Sequence, residues 1–205
     1  MFIFTLEMKQ VFYKSIAKES HLYMWKVQSS ALQLIKRVNL SGAETANFAD
    51  LKTEKRKVEF LACRIALKNL FTEELILEHF TSGKPFIKEV KHLSISHSHS
   101  YIAIAFGETE IGIDIEKPQE KMLRLISRVL SEQENKTFLK NPSKGLACKL
   151  WSAKESILKY IGDKNLNYRD DIILNGNSAY YLGKEFNIYH EDIEEMILTY
   201  VEGES

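Results

Sequence analysis

The sequence predicts an α+β protein of two lobes, residues 1–107 and residues 108–205, and three observations carry that prediction. Strand-like, helix-like and again strand-like stretches occur on both sides of residue 107. Each side holds one long helical pattern, about Thr53–Phe71 in the first half and Leu146–Ile161 in the second. With 205 residues and 44% hydrophobic side chains, the chain can bury one good core or two small ones. No sequence repeat relates the halves, so any symmetry between them would be structural.

In chain order, Met1–Leu6 and Leu22–Val27 are dense in apolar and aromatic residues and predict strands. Ser29–Val38 predicts a helix, Asn39–Asp50 a polar connection, and Thr53–Phe71 a longer helix free of glycine and proline. Thr81-Ser82-Gly83-Lys84-Pro85 is a turn. Short strands are expected at Leu93–Ser96, Tyr101–Phe106 and Ile111–Glu116, with Gly107–Glu110 of hairpin length between the last two. An amphipathic helix over Glu120–Leu130 and a short one over Ser131–Leu139 precede the break at Asn141-Pro142-Ser143. The strong helix from Leu146 stops at Gly162, and strands follow at Asp171–Leu174, Glu185–Tyr189 and Met196–Val201.

Composition narrows the function classes. A net charge of zero argues against a general nucleic-acid binder. Residues 1–107 carry five more basic than acidic side chains and residues 108–205 five more acidic than basic, a split that suits an anionic ligand on one side and a metal on the other. Met1–Leu6 is too short for a signal peptide or a membrane span. Cys63 and Cys148 stand far apart without neighbouring ligands and read as reduced thiols of a cytoplasmic protein.

Two segments carry chemistry. Ile111-Gly112-Ile113-Asp114-Ile115-Glu116 alternates strictly, so the three isoleucines share one strand face while Gly112, Asp114 and Glu116 share the other. Carboxylates two residues apart, about 6–7 Å between Cα atoms, can bend onto one cation, and oxygen donors with room for water and phosphate favour Mg²⁺. Two solvated acids on a half-exposed strand would show the same pattern. On the helix ending at Ile161, Leu146, Ala147, Leu150, Trp151, Ile157, Leu158 and Ile161 fill an arc about 140° wide at 100° per residue. Lys154 falls in the middle of that arc, where a lysine must snorkel out or meet an anion. Glu155 lies at the arc's edge with Lys159 beside it at i+4, which an ordinary surface pair would also explain.

Gly112-Ile113-Asp114-Ile115-Glu116, followed about 35 residues later by Trp151-Ser152-Ala153-Lys154-Glu155-Ser156-Ile157-Leu158-Lys159, resembles the two signature motifs of the 4'-phosphopantetheinyl transferases. The stretches 55–64, Gly83-Lys84-Pro85 and Ile95-Ser96-His97-Ser98 resemble the long, single-chain branch of that family. The resemblance implies two pseudo-symmetric α/β lobes with coenzyme A in the cleft between them, and a monomer, since one chain holds both lobes. It implies Mg²⁺ on Asp114, Glu116 and Glu155. Arg56, Arg64, Lys84, Pro85, Ser96 and His97 would hold the nucleotide end, and Lys154 and Lys159 would face the pyrophosphate. The implied reaction is attack by a serine of an apo acyl or peptidyl carrier protein on the β-phosphorus of coenzyme A, with Glu155 and Lys159 as catalytic residues.

Chemistry agrees with several cations around a pyrophosphate diester that bears a further ribose phosphate. Arg56 and Arg64, two helical turns or about 12 Å apart, would grip different parts of a long ligand. Departures from the family pattern are Cys63, where glycine is common, and an extra histidine in Ser96-His97-Ser98-His99-Ser100. His92, His97 and His99 could alternatively suggest zinc. Arg124 and Arg128, at i,i+4, are a candidate docking face for an acidic carrier helix. Two rivals remain: a metal-dependent nuclease or phosphodiesterase, which the acidic C-terminal half counts against, and a non-catalytic interaction domain.

Overall fold

The computed structural model describes residues 7–16, 19–71, 76–163 and 165–203, so the strand expected over Met1–Leu6 lies outside the described residues. The elements in order are β1 (Met8–Ile16), β2 (Ser20–Val27), α1 (Ala31–Leu34, running on as a 3-10 turn Ile35–Arg37), α2 (Gly42–Asp50), α3 (Glu54–Leu70), β3 (Glu78–His79), β4 (Pro85–Phe86), β5 (His92–Ser98), β6 (Tyr101–Gly107) and β7 (Ile111–Glu116). Then come α4 (Glu120–Leu125, with a 3-10 turn Ile126–Arg128), α5 (Glu132–Phe138), α6 (Lys144–Ile161), β8 (Ile173–Asn175), β9 (Ser178–Tyr181), β10 (Lys184–Ile193) and β11 (Met196–Gly203). The protein is mixed α+β, as expected.

Two antiparallel sheets organise it, one in the order β1-β2-β6-β5 and one in the order β7-β11-β10-β9-β8. Strand alternation gives each sheet two apolar faces. In β2 and β6, Trp25, Ile102 and Ile104 pack on α3 through Leu61, Ala62, Ile65 and Ala66. Their alternate neighbours Leu22, Met24, Ala103 and Ala105 meet Ile111, Ile113 and Ile115 of β7 and Leu198 and Tyr200 of β11. On the far face of the second sheet, Phe186, Ile188 and Val201 pack on Ala153 and Ile157 of α6. The layers therefore run helix, sheet, sheet, helix, and the middle core is shared by residues from both halves of the chain. No helix among the described residues is long and apolar enough to cross a membrane.

Three expectations need correction. Tyr101–Phe106 and Ile111–Glu116 do not form a hairpin: β6 pairs with β2 and β5, β7 pairs with β11, and Gly107–Glu110 carries the chain from one sheet to the other. The polar stretch 39–50 contains α2, entered through a Ser41/Glu44 capping box. Its few apolar residues give no 3.6-residue stripe, so the cap was the only signal. β1 and β9 were not expected; β1 is held by its register with β2 rather than by an alternating pattern of its own.

Gly112 fixes how β7 meets α6. A Cβ there would lie 1.9 Å from the Ser156 carbonyl oxygen and 2.7 Å from the Tyr160 nitrogen, so only glycine permits this approach of strand and helix. α6 ends, as the sequence indicates, at Gly162 with φ 76°.

On β10, His190 sits opposite Thr199, with Nδ1 2.9 Å from its Oγ1. Burial, with Lys149 nearby, pulls the imidazole pKa from 6.5 down to about 4. The unfolded chain therefore binds a proton that the native one refuses, and stability is expected to fall as pH drops from 6.5 towards 4. Denaturant unfolding across that range should show this slope, and His190→Gln should flatten it.

Candidate active site

The site is built where β5, β7 and α6 meet. Ser94, Ser96 and Ser98 alternate along β5 and point at β7. Ser94 Oγ accepts from the Ile113 N–H at 3.1 Å and Ser96 Oγ from the Ile115 N–H at 3.2 Å. Hydroxyls thus do between these two strands what main-chain pairing does within a sheet. Ser96 also donates to Asp114 Oδ1 at 2.9 Å, and Ser98 donates to Glu116 Oε2 at 3.1 Å.

Asp114, only 5% exposed, is the centre of this arrangement. Its Oδ2 accepts from Ser152 at 2.8 Å, and its Oδ1 pairs with the Lys159 ammonium at 2.8 Å, which also reaches Ser96 at 2.8 Å. Ser152 and Lys159 both come from α6, brought within reach by the close approach at Gly112. Glu155, between them on the same helix, accepts from the Tyr168 hydroxyl at 2.8 Å. Burial and then the Asp114 charge push the carboxyls of both Glu116 and Glu155 above their ordinary pKa. Burial, with the Glu155 carboxylate beside it, also holds the Tyr168 phenol well above its ordinary range, so it stays a donor.

Of the three acids expected to share a cation, Glu116 and Glu155 each lie near enough to Asp114 to feel its charge. They do not form a ready cage: among the described residues no three His, Cys, Asp or Glu side chains are grouped as a metal site. Each carboxylate is instead turned onto a protein donor, Asp114 onto Ser96, Ser152 and Lys159, Glu116 onto Ser98, and Glu155 onto Tyr168. The donor set, three carboxylates of which two feel the charge of the third, nevertheless fits a hard divalent cation in its chemistry. The same observation covers His92, His97 and His99, which are not grouped with one another. His97 contacts Glu59 and His99 contacts Gln119.

Lys154 is a correction. It does not face outward toward a ligand; it is 0% exposed, and its ammonium donates to Glu134 Oε2 at 2.8 Å and to the carbonyls of Tyr168 at 2.7 Å and Ile172 at 2.8 Å. Its position on the apolar face of α6 is explained by this internal anion rather than by a phosphate. Glu134 is fully used as well, accepting from the N–H groups of Ser131 and Leu174. Burial lowers the lysine's pKa while Glu134 opposes the shift.

The nucleotide-end candidates divide between two places. Arg56, Arg64, Pro85 and His97 line a cleft of about 870 Å³ whose lining, among the described residues, lies between Ser41 and His97. His97 reaches it because it alternates with Ser96 along β5. Each of these basic groups already has an acidic neighbour: Arg64 pairs with Glu44 at 2.8 Å and stacks on Phe60, while Arg56 and the His97 imidazole share Glu59. Burial lowers the His97 pKa, with Lys159 and Arg56 adding to the effect and Glu59 opposing it. Lys84 and Lys159 instead line a second cavity of about 220 Å³ bounded by residues 82–95 and 158–163. Lys84 bonds Glu110 and the Tyr160 carbonyl.

Beyond the motifs, the sequence reading missed Ser94 and Ser98 as partners of β7, Glu134 as the counter-ion of Lys154, and Tyr168. The serine alternation was a usable signal, and Ser131-x-x-Glu134 is a capping box that places Glu134 at a helix start. Nothing local marks Tyr168. Arg124 and Arg128 are exposed, but the helix tightens to a 3-10 turn at Ile126–Arg128, so they are not an i,i+4 pair of one α-helix.

Asp114 is thus seated between the strand motif and the helix motif. Residues 110–199, which contain both motifs, match the 4'-phosphopantetheinyl transferase superfamily. That similarity covers 90 of the chain's 205 residues and takes in both motifs. Similar curated proteins are the 4'-phosphopantetheinyl transferase gsp of Aneurinibacillus migulanus, 27% identical over 131 residues that make up 62% of this chain and 52% of the relative. Another is psf-1 of Bacillus pumilus, 31% identical over 101 residues, 47% of this chain and 43% of that one. Sfp of Bacillus subtilis (strain 168) is 38% identical over 85 residues, 39% of this chain and 38% of that one. The chain spans about half or less of the length of these relatives. Neither the family match nor these relatives support the nuclease reading.

Removing Lys154 would leave Glu134 buried without its counter-charge. Lys154→Met is expected to destabilise the protein by about 3 kcal/mol in denaturant unfolding. A loss below about 1 kcal/mol, the range of an exposed pair, would contradict a structural role for this buried pair.

Proposed function

We propose that this chain transfers the 4'-phosphopantetheine arm of coenzyme A to a serine of an apo acyl or peptidyl carrier protein, releasing adenosine 3',5'-bisphosphate. The observation that carries the reading is the seat of Asp114: a strand acid and a helix lysine, each from one signature motif, meet at 2.8 Å with Glu155 of the same helix held nearby. Relatives named 4'-phosphopantetheinyl transferase match between 39% and 62% of this chain. In this reading residues 1–107 and 108–205 act as two lobes of a monomer. Coenzyme A runs from the cleft lined by Arg56, Arg64, Pro85 and His97, past Lys84 and Ser96, to Asp114.

The chain's own groups divide the work. Arg56 and Arg64 would neutralise phosphates at the nucleotide end, for which Arg64, fixed by Glu44 and Phe60, is already oriented. Lys159, 27% exposed at its side chain, would shift from Asp114 to the departing phosphate. Glu155 would take the proton of the carrier serine as its oxygen attacks the β-phosphorus and the P–O bond to the bisphosphate breaks. Burial and the neighbouring Asp114 raise this carboxylate's basicity. Asp114, Glu116 and Glu155 would hold Mg²⁺, which when bound supplies Lewis acidity to the pyrophosphate. Arg124 and Arg128, both exposed, would meet an acidic carrier surface. Cys63 and Cys148 are buried free thiols, which agrees with a reducing compartment, and we assign the protein to the cytoplasm.

Incubation with fluorescent coenzyme A, an apo carrier protein and Mg²⁺ should place label on the carrier, and the label should not appear when Mg²⁺ is chelated. Glu155→Gln should reduce turnover at least about 100-fold. Near-normal turnover at saturating Mg²⁺ would remove Glu155 as the base.

A further inference from the structure

Tyr168 lies outside both signature motifs, yet it is fixed at three points around Glu155. Its hydroxyl donates to Glu155 Oε1 at 2.8 Å. Its ring stacks on Trp151, one helical turn before Glu155 on α6, with centroids 6.4 Å apart and planes 17° apart. Its carbonyl accepts from the Lys154 ammonium at 2.7 Å. That ammonium is itself fixed by Glu134 and by the Ile172 carbonyl, so the lysine clamps both ends of the segment 168–172 to α6. The turn between is closed by the Asp171 N–H donating to the Asn167 carbonyl at 2.9 Å and the Asn167 N–H donating to Asp171 Oδ2 at 2.8 Å. Arg169 ties it to the Ser127 carbonyl. The buried side chains of Leu166 and Ile172 seat its two flanks in the core.

The geometry points to Tyr168 as a positioning residue for Glu155: the segment following α6 is a bracket that presents one phenol hydroxyl to one carboxylate oxygen. The choice of donor matters. A lysine in this place would neutralise Glu155, whereas a phenol fixes its direction and leaves its charge available for a cation or a proton. The Lys154–Glu134 pair thereby acquires a role at the site without touching it, since it holds the backbone from which the hydroxyl is aimed. The inference rests on the reading of Glu155 as a metal ligand and base.

Tyr168→Phe removes only the hydroxyl; the ring stack and the backbone clamp do not depend on it. Mn²⁺ alone, titrated into the full chain and followed by electron paramagnetic resonance, is the probe for site assembly. Tyr168→Phe should bind Mn²⁺ about tenfold more weakly and lower kcat by a similar factor with KM for coenzyme A unchanged. In a Glu155→Gln background the same change should add nothing, because the hydroxyl acts through that carboxylate. Wild-type or tighter Mn²⁺ binding with unchanged kcat in Tyr168→Phe, while Glu155→Gln is impaired, would overturn the positioning role alone. If Glu155→Gln itself binds Mn²⁺ and turns over as wild type does, the underlying reading of Glu155 fails instead.

Discussion

The carboxylate of Asp114, held from three sides, is the constraint on which the rest of this structure depends. It stands on β7 of the second sheet, receives Ser96 from β5 of the first, and receives Ser152 and Lys159 from α6. Three elements distant in sequence are thereby locked at one buried point, where an unpaired carboxylate would cost several kcal/mol. The contact is possible only because Gly112 lets α6 lie against β7 and because Ser94 and Ser96 satisfy main-chain N–H groups of β7 that face the other sheet. Packing and chemistry are therefore served by the same atoms.

Around that point the protein separates two uses of charge. Lys154 and Glu134 form a fully buried pair whose hydrogen-bonding capacity is spent on protein groups, a structural fastening between α5, α6 and the segment that follows α6. Asp114 and Glu116 are held by serine hydroxyls and one partly exposed lysine, donors that can be exchanged, and Glu155 is held by the clamped Tyr168 hydroxyl. Carboxylates kept near one another by hydroxyls and one displaceable ammonium are stable without a cation and favourable toward one. The large cleft shows the same economy: Arg56, Arg64 and His97 are balanced by Glu44 and Glu59, so an anionic ligand must compete with internal carboxylates for them.

The sequence made the strand and helix motifs legible because their periods are short. Alternation put Ile111, Ile113 and Ile115 in the core and Asp114 on the opposite face, and both features hold in the fold. The long helices at Glu54–Leu70 and Lys144–Ile161 were legible for the same reason. What was not legible depends on tertiary pairing. Lys154 announced that an anion must meet it, but a phosphate and Glu134, twenty residues away on another helix, are indistinguishable along the chain. β6 and β7 look like a hairpin locally and separate because each finds a better neighbour in its own sheet. Tyr168 gives no signal at all, since its function arises from where Lys154 pins its backbone.

The central question is whether one divalent ion, shared by the three acids, displaces Lys159 from Asp114 while the Tyr168 hydroxyl stays on Glu155. A crystal of the full chain grown with Mn²⁺ and coenzyme A, measured at the manganese absorption edge, tests this directly. The account predicts a single anomalous peak coordinated by Asp114, Glu116 and Glu155, with the Lys159 ammonium displaced toward a phosphate. A peak bound elsewhere, or bound coenzyme A with Lys159 still on Asp114 and no ion between the carboxylates, would contradict it.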